Sequence, residues 1–174
     1  MKIMCSGIGG IGVSAYAVHM HERGHEVYGT DSTPSIVTDD LIRRGISVTF
    51  QQDGTAWQPG TTLLVYSEAI PADAPERRRA REEGIEEQSY FQALGVLTQG
   101  TDLIAVTGTH GKSSTTAMIS MILINAGVDP NVVVGTRIRG MENRNWRTGS
   151  SRRWVVEACE YRRSFLYLSP SILV

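Results

Sequence analysis

The sequence predicts an α/β protein: a Rossmann-like, doubly wound domain over about residues 1–98, then the opening of a second α/β unit over 99–174. Two observations carry this. Short apolar runs alternate with helical patterns along the chain, which is how a parallel sheet wrapped by helices is written. Two glycine-rich loops each follow a strand pattern and open a helix pattern, the context in which backbone amides meet phosphate. The length of 174 residues suits one complete domain and part of another, since domains usually run to roughly 100–200 residues.

In chain order, Lys2–Ser6 reads as a strand and Val13–Arg23 as a helix closed by Gly24. Glu26–Thr30 is a strand ending at Asp31, Ile36–Arg44 a helix stopped by Gly45, and Ile46–Phe50 a strand. After a loop holding Gly54, Pro59 and Gly60 come the strand Leu63–Tyr66 and a charged helix, Pro75–Glu83. Ala93–Asp102 is the candidate junction. Beyond it lie the strand Leu103–Thr107 and a helix over Thr115–Ala126, apolar almost all round and so expected to be buried. Val132–Val134 and Trp154–Glu157 read as strands separated by a polar, basic loop. Ile172–Val174 looks like the start of a buried strand without a sheet partner.

Composition narrows function by exclusion. With 41% hydrophobic and 20% charged residues the chain is globular, and a net charge of −1 offers no general attraction to nucleic acid or anionic membrane. Cys5 and Cys159 lack CxxC spacing, so neither a disulfide framework nor a zinc site is indicated and a reducing cytoplasm is expected. No secretory pattern opens the chain, and no apolar run approaches the ~20 residues that span a bilayer. His19, His21 and His25 are not spaced as metal ligands and read as surface residues. The arginines of 76–83 alternate with acids at helical spacing and read as a solvated, ion-paired face.

The first motif, Gly7-Ile8-Gly9-Gly10-Ile11-Gly12, satisfies GxGxxG between a strand and a helix. Its glycines permit close approach of a diphosphate to the helix N-terminus, and Asp31, about 20 residues on, is placed for a ribose hydroxyl. Alone it suggests NAD or FAD, or glycines that merely pack helix on strand. The second motif, Thr107-Gly108-Thr109-His110-Gly111-Lys112-Ser113-Ser114, is a shortened phosphate loop, with Val106 where the usual spacing has a glycine. Gly108 and Gly111 permit a nest of amides, Lys112 a charge for the β/γ-phosphates of ATP, and Ser113 a hydroxyl for Mg²⁺. Two phosphate loops argue against a simple NAD-dependent oxidoreductase and for a nucleotide-linked substrate together with ATP.

These residues resemble the Mur ligases, which add amino acids to UDP-N-acetylmuramic acid in peptidoglycan synthesis. SGIGGIGVSA is similar to the opening of the MurC-type branch, VYSEAI to its Ser-Ser-Ala-Ile strand end, and TGTHGKSSTT to the family's ATP loop. Histidine at His110 is typical of that branch and of the murein-peptide-recycling Mpl branch, whereas the GIGGIG opening favours the former. VVEACEYRRSFLYLSP resembles the family's Glu-Ala-Asp-Glu-Ser-Asp-x-Ser-Phe segment, with Cys159, Tyr161 and Arg162 departing from it and Glu68 replacing a serine earlier.

The resemblance implies a UDP-sugar site of Gly7, Gly9, Gly10, Ile11, Gly12, Asp31 and Ser67, and an ATP site of Gly108, Thr109, His110, Gly111, Lys112, Ser113 and Ser114. It implies that Lys112 and Glu157 are catalytic, that Ser113 and Glu157 hold Mg²⁺, and that ATP activates the sugar's carboxylate for attack by L-alanine. The domain that binds L-alanine is expected to lie outside the chain, so the chain alone is expected not to form the amide. An Mpl-like ligase, or a module that binds UDP-sugar without chemistry, stays open.

Overall fold

A computed structural model describes residues 1–158 and 165–174. The divergent positions Cys159, Tyr161 and Arg162, with Glu160, lie outside the described residues. The chain forms two compact units, Met1–Ala93 and Leu94–Val174.

The first unit runs β1 (Lys2–Ser6), α1 (Ile11–Glu22), β2 (Glu26–Thr30), α2 (Ile36–Arg43), β3 (Ser47–Thr49), β4 (Leu63–Tyr66), α3 (Pro75–Glu82) and β5 (Glu86–Ser89). Its five strands are all parallel, in the order β3-β2-β1-β4-β5. The direction of winding reverses between β1 and β4, and ligands of such sheets settle in the crevice beyond the strand ends at that reversal. Local chemistry fixes the connections. Ser35 and Thr38 form a reciprocal capping box that starts α2, and Pro75 at the first helical position starts α3. Ile3, Met4 and Cys5 of the central strand are fully buried, as a strand covered on both faces must be. On one face Met4, Tyr28, Leu64 and Ala80 form a core cluster, with Trp57 and Ile85 packed against it.

α4 (Tyr90–Thr98) carries the chain from the first unit into the second, the break falling inside it between Ala93 and Leu94. Neither β5 nor α4 is indicated by the sequence pattern. Glu86–Ser89 is polar at every position and joins the sheet only because β4 offers it a parallel ladder.

The second unit contains β6 (Asp102–Val106), α5 (Lys112–Asn125), β7 (Asn131–Ile138), a 3-10 turn at Arg139–Met141, β8 (Arg144–Arg147), β9 (Arg153–Glu157) and β10 (Ile172–Leu173). The sheet order is β10-β6-β9-β7-β8, with β8 antiparallel to β7 and the other pairings parallel. Three expectations are corrected here. The basic loop before β9 folds back as β8. Ile172 and Leu173 do have a partner, pairing in parallel with Ile104 and Ala105 of β6, and they are exposed rather than buried. α5 is not buried all round: only Thr116 and Ser120 are fully buried, while Met118 and Ile122 are 59% and 66% exposed. Apolar composition gave α5 the capacity for burial on every side, but its sheet covers one side only.

In the first unit the reverse holds for His19. The expected surface histidine is only 3% exposed, on a helix whose residues Val13–Met20 are all buried. Burial, helped by the Arg23 charge, pushes its pKa down to about 3. No helix among the described residues is long and apolar enough to cross a membrane.

Candidate functional site

The first glycine loop joins β1 to α1 at the reversal point of its sheet. Gly7 adopts φ +74°, a left-handed turn that favours glycine, and a Cβ there would stand 2.9 Å from Cβ of Ser67 at the end of β4. The loop is moulded on β2. The amides of Gly7 and Ile8 both donate to the Thr30 carbonyl, at 2.8 and 2.9 Å, and that of Gly10 donates to the Gly7 carbonyl at 3.0 Å. Gly9 N–H donates to Asp31 Oδ2 at 2.7 Å, while Asp31 Oδ1 accepts from the Ser32 amide at 2.8 Å. Asp31 therefore braces the loop from within the set of residues expected to contact ligand. What the loop leaves outward is the first turn of α1, whose N-cap Gly10 receives no side-chain cap. At Gly12 a Cβ would lie 2.6 Å from the ring of Tyr90, so this glycine also lets helix and ring pack closely.

Ser67 closes the other side of the crevice. Its amide donates to the Ser6 carbonyl at 3.0 Å, and its carbonyl accepts from Ile70 N–H at 2.8 Å. Cys5 of β1, opposite Val65 of β4, is fully buried, its thiol pKa pushed up to about 12 by burial, so it offers no nucleophile. A separate cleft of about 710 Å³ beside α3, lined in part by Asp53, Thr55, Trp57, Arg78, Arg79 and Glu82, holds none of the residues expected from sequence.

In the second unit Thr107–Gly111 links β6 to α5. Gly111 caps α5 in the left-handed region at φ +79° and adds no side-chain cap, so the first-turn amides gain no partner from it. Thr109 and His110 are exposed at the tip and Ser114 is exposed in the first turn. Lys112 turns back over the loop and donates from Nζ to the Gly108 carbonyl. Ser113 Oγ donates to both carboxylate oxygens of Glu157, 3.0 Å each, although the two residues are 44 positions apart. The sheet makes this meeting: β6 and β9 align Val106 with Glu157, placing the glutamate level with the start of the loop.

A third contributor was not visible in sequence. Gly135 of β7 donates its N–H to Glu157 Oε2 at 2.7 Å, and a Cβ there would stand 3.0 Å from the carboxylate. A lone glycine inside an apolar strand pattern is the signal that could have found it. The resulting cluster is made of oxygen donors: one carboxylate and one hydroxyl beside a helix N-terminus and a lysine. Among the described residues no group of three or more His, Cys, Asp or Glu could hold a metal by itself.

Residues 2–101 match the family model described as "Mur ligase family, catalytic domain". The chain belongs to the Mur ligase family. Among curated relatives, the UDP-N-acetylmuramate–L-alanine ligase of Caldicellulosiruptor saccharolyticus is 41% identical over 172 residues, covering 98% of this chain and 37% of that protein. The crystal structure of MurC from Thermotoga maritima is 33% identical with a TM-score of 0.90, over 99% of this chain and 40% of that one. The UDP-N-acetylmuramate:L-alanyl-γ-D-glutamyl-meso-diaminopimelate ligase (Mpl) of Neisseria meningitidis shares the fold at a TM-score of 0.90 but only 24% identity, over 99% of this chain and 59% of that one. This Mur ligase chain thus spans about 37% of the length of the curated relatives it matches.

Proposed function

We propose that this chain carries the UDP-N-acetylmuramic acid site and the ATP phosphate loop of a ligase that joins L-alanine to UDP-N-acetylmuramic acid in peptidoglycan synthesis. The observation that carries the proposal is the contact of Ser113 with Glu157 beside Lys112 at the N-terminus of α5. A loop lysine, a hydroxyl directly after it and a carboxylate from a neighbouring strand are the parts that phosphoryl transfer from ATP needs. The 41% identity to one UDP-N-acetylmuramate–L-alanine ligase and 39% to a second support L-alanine as the amine.

In this reading the domain of about residues 1–98 holds the UDP-sugar. Its diphosphate lies against Gly10, Ile11 and Gly12 at the start of α1, where helix dipole and first-turn amides favour an anion. Asp31 and Ser67 shape the two flanks, with Gly7 and Gly9 admitting them. The part from about residue 99 holds ATP, with the amides of Gly108–Ser114 around the phosphates. Lys112 leaves the Gly108 carbonyl to meet the transferring phosphoryl group and offsets the charge that develops on it. The substrate carboxylate attacks the γ-phosphorus, the bond to the β-phosphate oxygen breaks, and ADP departs. The amine of L-alanine then attacks the acyl carbonyl, loses a proton and expels phosphate.

The oxygen donors of Ser113 and Glu157 fit Mg²⁺, a hard ion that takes one or two protein oxygens and completes its shell with phosphate and water. When bound, Mg²⁺ would supply charge neutralisation and orientation of the phosphates. Gly135 N–H would keep the Glu157 carboxylate turned toward it, the service outer hydrogen bonds render to metal ligands. Fluorescence titration of ATP with and without Mg²⁺ tests the assignment. Ser113→Ala and Glu157→Gln should each weaken Mg²⁺-dependent ATP binding about tenfold or more, with less than additive loss in the double variant because the two share one ion. ATP affinity that ignores Mg²⁺, or is untouched by both substitutions, would remove the metal role.

A further inference from the structure

The wall of the first crevice is the segment after β4, Ser67–Ala74, which packs directly on the glycine loop: Ile70 Cδ1 lies 3.5 Å from where a Cβ of Gly7 would be. This segment forms neither helix nor strand, and within it Ile70 N–H donates to the Ser67 carbonyl, Ala74 N–H to the Pro71 carbonyl and Ala69 N–H to Ser67 Oγ. Two arginines of α3 hold it instead. Arg77 donates from Nη1 to the Ile70 carbonyl at 3.2 Å, and Arg81 from Nη2 to the Ala72 carbonyl at 2.6 Å. Both turn to one acid on β5. Arg77 reaches Glu87 with Nε at 2.9 Å and Nη2 at 3.3 Å, and Arg81 reaches it with Nη1 at 3.1 Å.

The arrangement is more than a solvated charge run. The sequence suggested pairs at helical spacing within 76–83, and Arg79 with Glu83 is such a pair. Arg77 and Arg81 bypass their helical neighbours for a strand residue. The Arg77 side chain is only 12% exposed and that of Glu87 23%, and the guanidinium lies 3.7 Å above the Tyr66 ring. A fork-shaped donor held on a ring face and by a two-oxygen acceptor has one orientation, so its remaining N–H is aimed. Glu87 thereby fixes two arginines, the arginines fix two carbonyls, and the carbonyls fix the wall.

We propose that Glu87, acting through Arg77 and Arg81, is a positioning residue for the UDP-sugar crevice: it sets the conformation of Ser67–Ala74 and through it the affinity for the nucleotide sugar. This rests on the reading that the crevice binds UDP-N-acetylmuramic acid. Glu87→Gln keeps the shape and removes the charge that gathers both arginines. Arg81→Lys keeps the charge at a 45% exposed position and removes the second donor of the fork, which makes it a gentler variant.

The test combines calorimetric titration of UDP-N-acetylmuramic acid, titration of ATP on the same proteins, and deuterium uptake of peptides covering 67–74. Glu87→Gln should weaken UDP-sugar binding about tenfold and Arg81→Lys about threefold, with faster uptake in 67–74. ATP affinity should stay within about twofold in both and the Trp57 unfolding midpoint in urea should be unchanged, a combination that neither whole-chain nor first-unit destabilisation would produce. If the wild-type chain binds the UDP-sugar and both variants bind it equally well, the proposal is wrong. If the wild-type chain does not bind it, the reading beneath fails instead, and unchanged deuterium uptake in the variants would then overturn the clamp by itself.

Discussion

In the first glycine loop the amides of Gly7 and Ile8 share the Thr30 carbonyl and that of Gly9 takes Asp31. In the second, the Lys112 ammonium donates to the Gly108 carbonyl, a contact from a flexible side chain. Both follow a parallel strand and open a helix without a side-chain cap. The first loop is thus tied down by contacts to β2 and Asp31, whereas a long flexible side chain bridges the second. The helices behind them differ in the same sense. Val13–Met20 of α1 are buried throughout, and α5 buries fully only Thr116 and Ser120. One motif grammar therefore gives two constructions: a loop braced by its neighbouring strand, and a loop bridged by its own lysine.

Equal substitutions at one left-handed glycine of each loop sharpen this contrast most. Gly7→Ala meets Ser67 at 2.9 Å in addition to its unfavourable φ, so it should cost about 2–5 kcal/mol of unfolding free energy and abolish UDP-sugar binding. Gly111→Ala faces open space and should cost only the left-handed penalty of about 1–2 kcal/mol. Urea unfolding followed by tryptophan fluorescence, with Trp57 reporting the first unit and Trp146 and Trp154 the second, separates the two. Similar losses at both positions would erase the distinction between a built loop and an open one.

Next in size, Lys112→Ala should weaken ATP about tenfold or more, since a charge-assisted contact is worth roughly 1.5–3 kcal/mol, and should leave UDP-sugar affinity unchanged. Fluorescence titration with ATP and calorimetry with the UDP-sugar read the two effects on one preparation. Equal ATP affinity in variant and wild type would reduce the second loop to an ordinary turn.

A smaller, pH-dependent difference comes from His19. Its pKa is about 3 in the folded chain against an ordinary value of 6.5, so the unfolded chain takes up a proton that the folded one refuses. Stability of the first unit is therefore full above about pH 6.5 and falls as the pH drops toward 3, by up to about 1.4 kcal/mol per pH unit. Urea midpoints at pH 7 and pH 5 should diverge for the Trp57 signal in wild type and converge in His19→Gln.

How much of this was legible in the sequence follows from the range of each interaction. Both glycine loops were readable because their chemistry is contained in consecutive residues, and strands such as Glu26–Thr30 and Leu63–Tyr66 because an apolar run between turn residues is a local signal. The contact of Ser113 with Glu157 has no local trace, being made by the β6–β9 register, and only the family resemblance suggested it. β5 was missed because Glu86–Ser89 lacks alternation, and the partner of Ile172 because β10 pairs with a strand far back in the chain. His19 and α5 were misjudged in opposite directions for one reason. A helix's composition says how much surface it could bury, and the layers around it decide how much it does.

The claim beneath the whole account is that a dinucleotide-like crevice in the first unit receives a UDP-sugar. Calorimetric titration of the 174-residue chain with UDP-N-acetylmuramic acid and, separately, with NAD tests it most directly. Saturable heat with the UDP-sugar and none with NAD is the expected result, because the chain belongs to the Mur ligase family and is 41% identical to a UDP-N-acetylmuramate–L-alanine ligase. Saturable binding of NAD with no response to the UDP-sugar would contradict the account.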